Sequence, residues 1–280
     1  MKALRTAGVH AALVVASIVT IYPVLWVVKM ALSPSQGFSL SPSPWPTHVT
    51  LANFADVLGT HDDAGRWLFG RQLFNSLVVA AAVTALGVAL ACSAAYALSR
   101  FRFPGRQTSL RAFLVSQMFP GVVTSIPLYV LLDRLHLLNH MLGLVLVYAT
   151  TAIPFCVFML KGYFDTLPRE LEEAVLLDGG TRFDAFWRVA LPLSRPALIT
   201  LAIIQFQGSW NDFLGPLLYL RDAKLLTLTV GLNYFKTQYA VEWNKILVGS
   251  MFNAIPILII FFIFNKYYIS GASYSGLAGQ

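Results

Sequence analysis

Long unbroken runs of apolar residues separated by short polar connectors set the character of this chain. Six runs stand out, at residues 9–30, 74–98, 110–132, 142–160, 197–220 and 246–268. Each is close to the roughly 20 residues that an α-helix needs to cross about 30 Å of hydrocarbon. Runs this long and continuous predict helices, because barrel strands would show alternating segments of roughly ten residues. The pattern therefore predicts an all-α, polytopic membrane protein: six transmembrane helices forming one domain over residues 1–280, with the lipid bilayer as its solvent.

Within that pattern two spans carry special chemistry. The second is rich in Ala, Gly and Ser, which lets helix backbones approach closely, so it belongs in the bundle interior. The third contains Pro120 and Pro127, each of which removes a backbone hydrogen bond and predicts a kink or break. Such a break either lines a pathway or is simply a tolerated kink, and both readings stand. The connector "SPSQGFSLSPSPWPTHV" is rich in Pro and Ser and predicts extended chain. Cys92 and Cys156 fall inside spans and read as small buried hydrophobes, with no disulfide and no metal. His136 and His140 have the i, i+4 spacing of a chelating pair but no third ligand nearby, so they read as interfacial histidines.

Composition agrees: 57% of the 280 residues are hydrophobic and only 12% are charged, with a mean hydropathy of +0.66. The formal net charge of +7 would suggest nucleic acid if it formed a soluble basic face. Instead the basic residues sit at the ends of the spans, which argues for topology and against nucleic acid. With both termini in the cytoplasm, twelve of the twenty Lys and Arg fall on the inner side and eight on the outer, and residues 33–65 have none. Lys2 and Arg5 precede the first span as in a signal peptide, but no convincing cleavage site follows, so the span reads as retained. The sequence contains no phosphate-binding loop of the G-x-x-x-x-G-K-[ST] type.

The connector at residues 161–196 is the exception to the apolar pattern. It holds six of the thirteen acids: Asp165, Glu170, Glu172, Glu173, Asp178 and Asp184. Pro168 suits a helix start, and the three glutamates follow in the first turns, where the helix dipole favours anions. Gly179 and Gly180 stop that helix. Thr181 and Asp184 form a capping box with the shorter acid, so a second helix begins at once. Along it Phe183, Phe186, Trp187 and Ala190 fall at i, i+3, i+4 and i+7 and predict one apolar stripe, which Pro192 and Pro196 end. The result is a helix–Gly–helix elbow with an acidic head and an aromatic face. Lying on the bilayer is the bland reading, but surface helices usually carry Lys and Arg, and this near-balanced loop favours a protein partner.

In the fifth span "QFQGSWNDFLGPL" places Gln205, Gln207, Ser209, Trp210, Asn211 and Asp212 at membrane depth. Polar groups there face a cavity or the bundle. One reading is a hydrophilic pathway in which Gln205, Asn211 and Asp212 bond sugar hydroxyls and Trp210 stacks on a ring. The other is interhelical hydrogen bonding alone. A polytopic enzyme would need a nucleophile and base at one depth, and no such pair is evident. An ion-coupled secondary transporter would lean on Asp212 and the broken third span.

Glu173-Ala174, Gly179 and Val189-Ala190-Leu191-Pro192 resemble the EAA loop of binding-protein-dependent ABC importer permeases, written E-A-A, three residues, G, nine residues, I-x-L-P. Val175 and Val189 replace Ala and Ile. Further stretches, "NSLVVA", "AYALSRFRFPGR", "QMFPGVVTSIPLYVLL", "DTLPRELEEA", "GSWNDFLGPL" and "LTLTVGL", are similar to the carbohydrate-uptake branch, specifically the smaller, six-span permease of maltose-type systems. The tail "SGASYSGLAGQ" departs from the basic, glycine-rich ending of that branch.

The resemblance implies a permease in a bacterial inner membrane that works with a sister permease, two cytoplasmic ATPases, an extracytoplasmic solute-binding protein and a sugar. The chain would be a transport subunit and not an enzyme. It would bind no cofactor, with ATP and Mg used by the partner ATPase. The loop at 170–192 would be the cytoplasmic coupling element, with Glu170, Glu173, Ala174, Asp178, Gly179, Phe183, Phe186, Trp187, Leu191 and Pro192 at the contact. Among these, Glu173 would pair with a basic group of the ATPase and Gly179 would make the turn.

Overall fold

The computed structural model describes residues 2–34, 41–62, 64–236 and 241–277. The side chains of Lys2, Arg5 and Lys266, and those of the C-terminal tail, lie outside the described residues, as does part of the Pro- and Ser-rich connector. Among the described residues the chain is helical, with two isolated bridges and no strand. Helix α1 covers Lys2–Ala31, α2 Ala52–Leu58, α3 Leu68–Arg100, α4 Arg106–Met118, α5 Gly121–Arg134 and α6 Met141–Thr166. They are followed by α7 Arg169–Leu177, α8 Arg182–Ala185, a π-helical turn Phe186–Ala190, α9 Leu191–Leu193, α10 Arg195–Asn211, α11 Leu214–Tyr219, α12 Leu228–Gly231 and α13 Trp243–Leu277.

Among the described residues four helices, Thr6–Ala31, Leu68–Arg100, Met141–Thr166 and Trp243–Asn265, are long and apolar enough to cross a membrane. Two bent pairs raise the number to six if each pair is one span. In the first, α4 and α5 meet at 103°. Of the two prolines expected to disturb this run, Pro120 breaks it, while Pro127 sits inside α5. Pro120 is the N-cap of α5, where its missing N–H is no loss. In the second pair residues 182–193 and α10 meet at 72°. The apolar run expected to continue to residue 220 is broken after Asn211, because Asp212 adopts an extended conformation.

The chain divides into two compact units, Met1–Gln72 with Leu228–Ile255, and Leu73–Thr227 with Pro256–Gln280. In the first, buried amides hold the chain leaving α1. Asn53 Nδ2 donates to the carbonyls of Ala31 and Ser33 at 2.8 and 2.9 Å, and Asn244 Nδ2 donates to Ser33 at 2.7 Å. Phe252 meets Phe54 and Phe69 edge-on, at 6.1 and 5.3 Å between centroids.

The second unit has two apolar clusters. One joins Val79 and Val83 of α3 to Leu132, Leu144, Val147, Tyr219 and Leu220. The other gathers Ala91, Cys92, Ala95 and Tyr96 of α3 with Cys156, Leu160 and Phe164 of α6, Ala190 and Leu201. Ala80, Gly87, Ala91 and Ala95 of α3 are buried, whereas Ala81, Ala85, Ala89 and Ser93 are exposed, so only one side of this span lies in the interior that its small residues predict. Both cysteines are free and buried. Many large apolar side chains on α1 and α13, such as Val14, Ile18, Leu258 and Phe262, remain exposed, which water would penalise and lipid does not.

Candidate functional site: an elbow and a cavity

The elbow is built from local signals that its sequence spells out. Gly179 has φ +82°, a left-handed conformation that costs glycine nothing. The Gly180 N–H donates to Val175 O at 2.9 Å and the Gly179 N–H to Leu176 O at 3.2 Å, the paired bonds of a Schellman stop. A Cβ on Gly180 would lie 2.7 Å from Val175 Cγ1 and 2.8 Å from its carbonyl oxygen, so this position also excludes a side chain. The next helix starts immediately. Thr181 Oγ1 accepts from the Asp184 N–H at 3.2 Å, and Asp184 Oδ2 accepts from the Thr181 N–H at 2.9 Å. Bonding to the Thr181 hydroxyl and N–H, helped by Arg188, holds the Asp184 carboxyl below the usual carboxylate range. Stop and start are therefore separated by almost no slack.

The aromatic stripe does not form one face. Phe186 packs its ring 4.7 Å from Tyr96 and Ala190 is fully buried, whereas Phe183 and Trp187 are 69% and 61% exposed and stack on each other at 6.1 Å. The cause is the π-helical turn at Phe186–Ala190. Its i→i+5 bonds give less rotation per residue than an α-helix, which separates positions that 3.6-residue spacing would align. Pro192 does not end the element either. The chain runs through it into α9, and the bend comes at the fully buried Ser194.

Nor do the acids act together. Glu170, Glu173 and Asp178 are exposed, but Glu172 is buried. Arg100 Nε donates to Glu172 Oε1 at 2.7 Å and the Tyr96 hydroxyl donates to Oε2 at 2.8 Å. What remains outside, among the described residues, is an apolar knob on the elbow made of the stacked Phe183 and Trp187, with Leu177 (88% exposed) on the same loop as the exposed carboxylates. Ala174 is exposed and Leu191 half-buried on the same elbow.

The second feature is a cavity of about 430 Å³ within the larger unit. It lies where the two broken runs meet, lined by Thr124 and Ser125 of α5, Tyr148 of α6, and Gln205, Ser209 and Asp212 at the end of α10. The Tyr148 hydroxyl donates to the Asp212 carboxylate, which also accepts the Gly215 N–H at 2.8 Å. A Cβ on Gly215 would lie 2.6 Å from both Tyr148 Oη and Asp212 Oδ2, so the close approach needs glycine there. Gln205 Nε2 also donates to Cys156 Sγ at 3.0 Å.

Of the four pathway residues read from the fifth span, Gln205 and Asp212 line this cavity and the other two do not. Trp210 is buried, with its ring stacked on Phe206 at 5.5 Å, because residues four apart on a helix share a face. Asn211 is an exposed last residue of α10. Thr124, Ser125 and Tyr148 were missed. The break at Pro120 was the available signal for the first two, while Tyr148 has no mark in its local sequence.

Bent apolar helices around a cavity that carries a few polar side chains in a mainly apolar wall, with a capped elbow in the same unit, fit a helical membrane component of a transport system. The chain belongs to the family described as "Binding-protein-dependent transport system inner membrane component", which it matches over residues 84–270. It is 33% identical to the sulfoquinovosyl glycerol transport system permease protein of Agrobacterium fabrum over 92% of this chain and 89% of that one. It is also 33% identical to the maltodextrin transport system permease protein of Streptococcus pneumoniae, over 94% and 92%. Its fold resembles a chain in the crystal structure of a bacterial ABC transporter involved in the import of the acidic polysaccharide alginate, with TM-score 0.80 at 21% identity over 96% of this chain and 98% of that one.

Proposed function

We propose that this chain is the membrane-spanning permease subunit of an ATP-driven sugar importer in a bacterial inner membrane. It forms the translocation pathway with a sister permease, receives sugar from an extracytoplasmic binding protein and is moved by two cytoplasmic ATPase subunits that use ATP and Mg. The bent pair α4 and α5 counts as one span and α10 with α11 as another, giving six, with both termini and the elbow at 161–196 in the cytoplasm.

The observation that carries this reading is the knob of Phe183 and Trp187, with Leu177 on the same stiff, doubly capped turn, in a chain of the binding-protein-dependent family. An exposed pair of stacked aromatics on a loop that also carries exposed carboxylates has the make-up of an interface hot spot. Glu170, Glu173 and Asp178 supply the charged rim, with Glu173 as the partner of a basic group on the ATPase. Closure of the ATPase pair moves the elbow, and the spans rock about the cavity between outward- and inward-facing states. Hydroxyls, an amide and a carboxylate around the cavity suit sugar hydroxyls, and the named relatives support a carbohydrate cargo.

The test is purification of the tagged chain with its genomic neighbours, followed by uptake of a labelled oligosaccharide panel into proteoliposomes. Co-purification of an ATPase and ATP-dependent uptake of one panel member is the expected result. Uptake by this chain alone, or unchanged uptake in both Glu173→Ala and Gly179→Ala, would overturn it.

A further inference from the structure

The elbow's backbone leaves it loosely attached. Leu167 and Pro168, between α6 and α7, are both extended, with ψ 130° and 129°, so no helical hydrogen-bond ladder carries α6 into α7. At the other end the chain bends by 72° beside Ser194. A lever hung between an extended joint and a bent one would swivel at the first under load unless side chains fix it.

Tyr163 of α6 donates to the Leu193 carbonyl at 3.2 Å, and the other side chains come from the last turns of α3. Arg100 pairs with Glu172 of α7 at 2.7 Å, with its side chain only 5% exposed, and its Nη2 donates to the Leu167 carbonyl at 3.1 Å. Tyr96 closes the other oxygen of Glu172 and presses its ring on Phe186 of the π-helical turn. One turn of α3 therefore holds both arms of the elbow and one of its joints. Beside it, Ser99 Oγ donates to Asp165 of α6 at 2.6 Å.

We infer that Tyr96, Arg100 and Glu172 form a clamp that makes the end of α3 move with the elbow, so that the stroke enters the bundle through α3. This rests on the coupling role proposed above. A buried ion pair adds little stability over apolar packing of equal volume, but it fixes direction and distance, and a guanidinium does so through several donors in one plane. That property suits a joint that must transmit motion. Glu172 and Arg100 are positioning residues here: neither is part of the exposed knob.

The experiment uses the complete transporter with its ATPase subunits, spin-labelled at Leu171→Cys on α7 of the elbow, outside the knob, and Leu90→Cys on the exposed side of α3, with Cys92→Ala and Cys156→Ala. In the parent, the label-to-label distance is expected to stay the same with and without ATP and vanadate. In Glu172→Gln, and in the volume-matched pair Arg100→Met with Glu172→Leu, it is expected to shift on ATP binding by roughly 1–5 Å, the scale of helix displacements in switching proteins. The volume-matched pair guards against misfolding, and a merely structural role would give no nucleotide-dependent difference. Variants that hold the parent's distance, or a parent whose distance itself changes with ATP, would overturn the clamp. Failure of the ATPase to co-purify with the unaltered chain would instead remove the coupling role beneath it.

Discussion

Gly179 and Gly180 are adjacent, but each is required for a different reason. At Gly179 the backbone demands a positive φ, and at Gly180 the Val175 backbone leaves no room for a Cβ. Gly179→Ala places an L-residue in the left-handed region at about 1–2 kcal/mol, and Gly179→Asn should cost less, since Asn visits that region more readily. The expected outcome is normal membrane levels with reduced ATPase co-purification, ordered Ala worse than Asn, read by pull-down from solubilised membranes. In the cavity, Gly215→Ala must displace Tyr148 or Asp212, whose oxygens both lie 2.6 Å from the new carbon. Uptake rate should fall while the amount of assembled complex does not. Asp212→Ala separates a pathway role from a structural one: unaltered substrate range and rate would assign the carboxylate to holding α6 and the broken end of α10 together. The two glycines and the capping box were legible because each rests on neighbouring residues. Tyr148 was not, because its partner Asp212 lies 64 residues away.

At the scale of elements, the π-helical turn decides which aromatics face inward. Phe183→Ala with Trp187→Ala should leave the fold intact and weaken ATPase association by about 2 kcal/mol or more for each hot-spot residue. Phe186→Ala should do the reverse. It removes a ring packed on Tyr96 and should destabilise the chain, with full truncation of a buried Phe costing about 3–5 kcal/mol and this half-buried one less. Thermal melts of the detergent-solubilised complex beside pull-downs would read the two effects separately. The sequence pattern foresaw a stripe because it assumes 3.6 residues per turn throughout, and nothing in "FWRVA" announces a wider turn. For the same reason it mistook the acids for one head. Alternation along α7 cannot say that Glu172, of three glutamates, finds Arg100 across 72 positions.

For the whole molecule, helix existence was readable from apolar run length, since lipid leaves the backbone few alternatives. Where the runs break was only half readable. Pro120 broke one as expected, but Pro127 did not, and the break at Asp212 follows from a carboxylate that bonds the Gly215 N–H in place of continued helix. The central claim is that the elbow is a cytoplasmic dock for an ATPase carried on another chain. Leu177→Cys, the most exposed large apolar position of the elbow, tests it when probed with a membrane-impermeant maleimide in spheroplasts and in inside-out vesicles. The account predicts no labelling from outside, labelling from inside, and protection when the ATPase subunits are bound. Labelling in intact spheroplasts, or equal labelling with and without the ATPase, would contradict it.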